Sequence, residues 1–98
     1  DDPGGIIVLE VNKIDYSLAE VAQIVEYNEA KVLSCYVTCM PDSNKVEITL
    51  KVNAVRIEPI LDTFIRYRYV IKNTFVSGEE MNEEMRDRYG QLLKFMEM

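Results

Sequence analysis

The chain of 98 residues carries no histidine and balances 11 Lys and Arg against 17 Asp and Glu, a net charge of −6. Without histidine there is no imidazole base, no Ser-His-Asp triad and no His-ligated zinc, and the acidic balance argues against nucleic acid or an anionic membrane as a partner. An apolar fraction of 48% suffices for one domain around one core.

Asp1-Asp2-Pro3-Gly4-Gly5 reads as a linker, since Pro and Gly punctuate and nothing there needs burying. The missing start Met is what a fragment of a larger intracellular protein would show. Ile6 to Val11 is a nearly continuous β-branched run, as expected of a central strand covered on both faces. Asn12 to Tyr16 is a turn, and Ser17-Leu18-Ala19-Glu20 is a capping box that opens a helix over about 17–28. Its apolar stripe is Leu18, Val21, Ala22 and Val25, with Glu20, Gln23 and Glu26 opposite.

From residue 31 to 40 the period becomes two, with Leu33, Cys35, Val37 and Cys39 on one face and Tyr36 and Thr38 on the other. Pro41-Asp42-Ser43-Asn44 makes a turn, and Val46, Ile48, Leu50 and Val52 alternate with Glu47, Thr49 and Lys51, so the two runs form a β-hairpin over about 31–40 and 46–53. Ile57, Ile60, Leu61 and Phe64 mark a second helix with Pro59 in its first turn, running to about Arg68. Tyr69 to Val76 is a fourth strand. Ser77-Gly78-Glu79-Glu80 is a second capping box, opening a C-terminal helix over 77–98 with the stripe Met81, Met85, Tyr89, Leu92 and Met96, which Gly90 weakens by about 1 kcal/mol. No run of apolar residues approaches the roughly 20 needed to span a bilayer.

Four strand residues separate Cys35 from Cys39 by about 13 Å, against the ~7 Å limit of a disulfide. Both thiols are expected reduced and buried, as in the cytoplasm. No metal site is expected. The order β-α-β-β-α-β predicts an α+β, ferredoxin-like antiparallel sheet with both helices on one face, the first and third strands central, and the C-terminal helix added. The opposite face carries Ile6, Val8, Tyr36, Thr38, Thr49 and Lys51. Half of it is apolar, so either the last helix or a second copy should cover part of it.

Gly4-Gly5-Ile6-Ile7-Val8-Leu9-Glu10-Val11 and the helix from Ser17 to Glu26 resemble the first βα unit of ACT domains, small-molecule-sensing modules attached to metabolic enzymes and regulators. Pro3-Gly4-Gly5-Ile6-Ile7 with Ile57-Glu58-Pro59-Ile60-Leu61 is similar to the ACT-like tail of bacterial proteins with paired CBS domains, the acetoin-utilisation type. The resemblance covers about residues 3–76. It implies a non-catalytic regulatory domain, a small amino-acid-like effector near a homodimer interface, and adenine nucleotide bound only by the CBS domains of the larger protein. It departs from the family at Asp15-Tyr16, where amino-acid-binding members carry Pro-Gly, so Tyr16 stands where a ligand usually lies.

The loop Asn12, Lys13, Asp15, Tyr16 and Ser17 is the best binding candidate, because its polar groups sit at a helix N-terminus that suits a carboxylate. An acylphosphatase-type hydrolase would need an Arg-bearing phosphate loop there, and this loop holds only Lys13 and no Gly, so no enzyme and no cofactor are expected. The cluster Glu79, Glu80, Glu83, Glu84 and Asp87 reads as a solvated helix start that complements the dipole. Arg66-Tyr67-Arg68-Tyr69 with Lys72 reads as basic residues at a helix C-terminus rather than a nucleic-acid platform. The alternative to a sensor is a structural dimerisation module without a ligand. Either one is expected to pair through the sheet edge or the open sheet face, the strand over 31–40 being a long edge without Pro before its end.

Overall fold

The computed structural model describes residues 4–76; the capping box at Ser77, the acidic cluster and the Met-containing stripe lie outside the described residues, as do residues 1–3. The elements are β1 (Gly5–Asn12), α1 (Leu18–Tyr27), β2 (Val32–Cys39), β3 (Lys45–Val52), α2 (Glu58–Arg66) and β4 (Val70–Val76). They form an α+β unit whose four strands make one antiparallel sheet in the order β2-β3-β1-β4. The first and third strands are thus central, as the loop lengths predict.

Period two explains the layering. Ile7, Leu9 and Val11 of β1 and Val46, Ile48, Leu50 and Val52 of β3 are buried, while the intervening Ile6, Val8, Glu47 and Thr49 are half-buried. The buried set joins Val21, Ile24 and Val25 of α1 and Ile60, Leu61 and Phe64 of α2 in a single cluster, which puts both helices on one face. Among the described residues β1 is therefore central but tightly covered on one side, where its apolar run predicts cover on both.

Four other expectations need correcting. β2 bulges between Val32 and Ser34, where Val32 pairs with Val52 but Ser34 already pairs with Lys51. The extra residue throws Leu33 off the core face, so Val32, Cys35 and Val37 pack there while Leu33 is 54% exposed. Cys39, at the strand end, is exposed rather than buried, and only Cys35 is partly covered. On α1, Ile24 takes the core position and Leu18 turns outward. The linker is also shorter than expected, because Gly4 and Gly5 are buried and Gly5 is already strand. A Cβ on Gly4 would lie 2.9 Å from the Val52 carbonyl oxygen, and one on Gly5 would lie 3.1 Å from both Ile57 Cγ2 and the Phe75 carbonyl oxygen.

The helices start differently and stop alike. Ser17 caps α1, its Oγ accepting from Glu20 N–H at 3.2 Å, whereas α2 has no side-chain cap and begins with a Pro in its first turn. Both end in Schellman motifs with a non-glycine residue in the left-handed region, Glu29 at φ 61 and Arg68 at φ 71. Ala30 N–H donates to the Val25 carbonyl at 3.3 Å, and Tyr69 N–H donates to the Phe64 carbonyl at 3.0 Å.

Candidate functional site

The loop after β1 is built by backbone bonds before any side chain acts. Asp15 and Tyr16 N–H both donate to the Asn12 carbonyl, at 2.9 and 3.2 Å, closing the turn. Lys13 N–H donates to the Asn44 carbonyl at 2.7 Å and ties the loop to the β2–β3 turn. That second segment is not visible from the loop's own sequence; it follows from the register, in which Asn12 faces Lys45.

All five candidate residues gather at this end of the sheet. Asn12 is half-buried, and its Nδ2 donates to Asp15 Oδ2 at 3.3 Å. Lys13, Asp15 and Tyr16 are exposed, and Ser17 is the α1 cap. Between the charges Ile14 stands 93% exposed, and with Tyr16 and Leu18 it adds apolar surface around the polar groups. The arrangement offers one ammonium, one carboxylate, a carboxamide and hydroxyls beside the start of α1. Nothing in it supplies a nucleophile paired with a base.

A long-range bond to the first turn of α1 escapes sequence reasoning. Glu20, in the first turn of α1, does not return to its own cap; its Oε1 accepts from Tyr69 Oη–H at 2.7 Å. Tyr69 is only 3% exposed, its ring meets Phe64 edge-on at 5.2 Å and 73°, and burial together with the Glu20 carboxylate pushes its phenol well above the usual tyrosine range. The basic patch at the end of α2 is accordingly reduced to Arg66, Tyr67 and Arg68 at the surface, with Tyr69 in the core. The pair spans 49 residues, and no local pattern announces it.

A second surface lies at the edge strand β2. Val32–Cys39 contains no charged residue, and Leu33 and Tyr36 are exposed along it. The other edge, β4, is shorter and carries Lys72 at a register shift. Gly5 lies against Ile57, so the start of β1 packs on the turn that opens α2. Among the described residues no helix is long and apolar enough to cross a membrane. No protein-family model and no curated protein matches this chain.

Proposed function

We propose that the chain is a non-catalytic regulatory domain of ferredoxin-like, ACT-like fold belonging to a larger cytoplasmic CBS-domain protein, and that it takes a small amino-acid-like metabolite at the loop Asn12–Ser17. The strand order with β1 and β3 central and both helices on one face supports the fold reading. The functional reading rests on the loop itself, whose residues Asn12, Lys13, Asp15, Tyr16 and Ser17 lead directly into α1, with Asn12 bonded to Asp15 and Ser17 capping the helix. Lys13 and the α1 N-terminus would receive the carboxylate. The exposed apolar rim of Ile14, Tyr16 and Leu18 would pack against the rest of the ligand or a neighbouring copy. Adenine nucleotide would be bound by the CBS domains alone.

Two copies would pair through β2, whose exposed edge carries no charge and no Pro and has only the bulge at Leu33 to blunt it. That same edge favours a second reading, a dimerisation module of this fold with no ligand of its own. Thermal shift against amino acids and simple carboxylates separates the two. A ligand at 100 times its Kd adds about 2.7 kcal/mol, a rise in Tm on the order of 10 °C or more for a domain this size. Lys13→Ala should remove that rise without changing the unliganded Tm. A flat screen alongside a dimer in sedimentation would leave the dimerisation module standing, and a monomer at tens of micromolar would remove both.

A further inference from the structure

Two bonds at the ends of β3 fix which backbone groups of β2 are free. Lys13 N–H donates to the Asn44 carbonyl at 2.7 Å, and Asn53 N–H donates to the Lys31 carbonyl at 3.1 Å. In an antiparallel ladder successive residues turn their N–H and C=O to opposite sides. Asn44, and with it Val46, Ile48 and Leu50, therefore faces β1, while Asn53, Lys51, Thr49 and Glu47 face β2. The register sets Lys51 against Ser34, Thr49 against Tyr36 and Glu47 against Thr38. Those three residues of β2 bond inward to β3. Cys35, Val37 and Cys39 turn their N–H and C=O out of the sheet edge.

This triplet is its own complement. A two-fold axis at Val37, normal to the sheet, sets Val37 against its own copy and Cys35 against Cys39 of the partner subunit. About six ladder bonds would then join the copies and use every outward group of the triplet. Sliding the pairing by two residues sets Cys39 against Leu33, in the bulge, or Cys35 against Pro41, which has no N–H to give. The bulge itself lies outside the segment 35–39. Side chains agree with the same axis, because residues directly opposite share a face. Tyr36, 61% exposed, would cross to Thr38 of the partner subunit on the open face of the sheet. No residue of β2 is charged, so two chains of net charge −6 would meet there without like charges in contact.

We propose, on the β2 pairing put forward above, that two copies join antiparallel about Val37, with Cys35 of each opposite Cys39 of the other. The sheet would continue through the seam, from β4-β1-β3-β2 into the same strands in reverse order, with the helices of both copies on one face. A second copy suits this edge better than an unrelated strand because the free groups are symmetric about one residue. The turn that holds the candidate loop through Asn44 would lie beside the start of β2 in the other copy.

The test is sedimentation of the reduced full chain, followed by cross-linking with a methylene-bridged bis-methanethiosulfonate. The register brings Cys35 and Cys39 of opposite copies to a Cα separation of about 5.5 Å, within the reach of a disulfide. Two Cys35, or two Cys39, would stay roughly 13 Å or more apart. The parent should sediment as a dimer and be captured as one. Cys35→Ser and Cys39→Ser should each abolish capture alone, and mixing the two variants should restore it. At the exposed positions, Tyr36→Lys with Thr38→Lys should raise the dimer Kd severalfold, and Tyr36→Lys with Thr38→Glu should lower it again. Capture that survives in either single variant, or a dimer that is never captured, would overturn the register and leave pairing intact. A monomer at tens of micromolar would overturn the pairing itself and leave the edge to a foreign strand.

Discussion

The two helical halves of the molecule are closed by the same device and held by different amounts of material. At the end of α1, Ala30 N–H returns to the Val25 carbonyl, and both side chains are small and buried. At the end of α2, Tyr69 returns to Phe64 with an edge-on aromatic contact, and its hydroxyl then reaches α1 at Glu20. A second polar link runs the same way. Thr63 Oγ–H donates to the Pro59 carbonyl at 2.8 Å, and Asn28 Nδ2 donates to both the Ile24 carbonyl at 2.8 Å and Thr63 Oγ1 at 3.3 Å. The difference teaches that α1, which carries the candidate loop at its front, is positioned by the α2 half. Perturbing the second half should therefore be felt at the first.

The largest test removes the aromatic anchor. Phe64 is fully buried, and Phe64→Ala should cost about 3–5 kcal/mol in urea unfolding. A loss below about 1 kcal/mol would mean that the two halves are held alike. Tyr69→Phe keeps the ring and deletes the link to Glu20, at about 1–2 kcal/mol. It also has a pH signature. The folded-state phenol titrates above its unfolded value, so the unfolded chain releases that proton first as pH rises. The contribution is complete below about pH 10 and falls at up to about 1.4 kcal/mol per pH unit above it. Unfolding free energies of the parent and of Tyr69→Phe should converge between about pH 10 and 12, and parallel curves would show that the hydroxyl is solvated.

A smaller effect carries the opposite sign. Among the described residues Thr74 Oγ1 on β4 is buried without a hydrogen-bond partner. Thr74→Val keeps the shape and removes the orphan hydroxyl, so it should stabilise by about 1 kcal/mol. Destabilisation would reveal a hidden partner. The finest comparison is between the two terminators. Glu29→Gly and Arg68→Gly each relieve a side chain held at positive φ and should each raise stability by about 0.5–1 kcal/mol. Unequal gains would show that the added anchoring at Tyr69 strains its own turn.

Much of this architecture is written in local patterns. The alternation in β3 survives intact because that strand is central, flanked by β1 and β2 and covered by helices. Ser17 caps α1 as its spacing to Glu20 predicts, yet the carboxylate of the same motif is drawn away by Tyr69. Nothing near Glu20 in the chain encodes that choice. The edge strand β2 was legible in kind and not in register, because a bulge costs little where only one neighbour enforces the pairing. Leu33 and Cys39 lose their expected burial for that reason and for the thinner cover at the strand's end. The candidate loop was legible as five residues, and its backing by Asn44 and Tyr69 depends on contacts across the sheet and between the helices.

The pairing of Gly5 with Val76 has a mechanical consequence. The two ends of the described fold leave side by side, about 5 Å apart, on adjacent antiparallel strands. A force that drew residues 5 and 76 apart would load the β1–β4 ladder one rung at a time, as a zipper, and never in shear. Such a domain yields to tension at its termini more readily than its buried core suggests. Segments joined to its two ends would share one attachment point, and a tug between them would be felt first at the strand that carries the candidate loop.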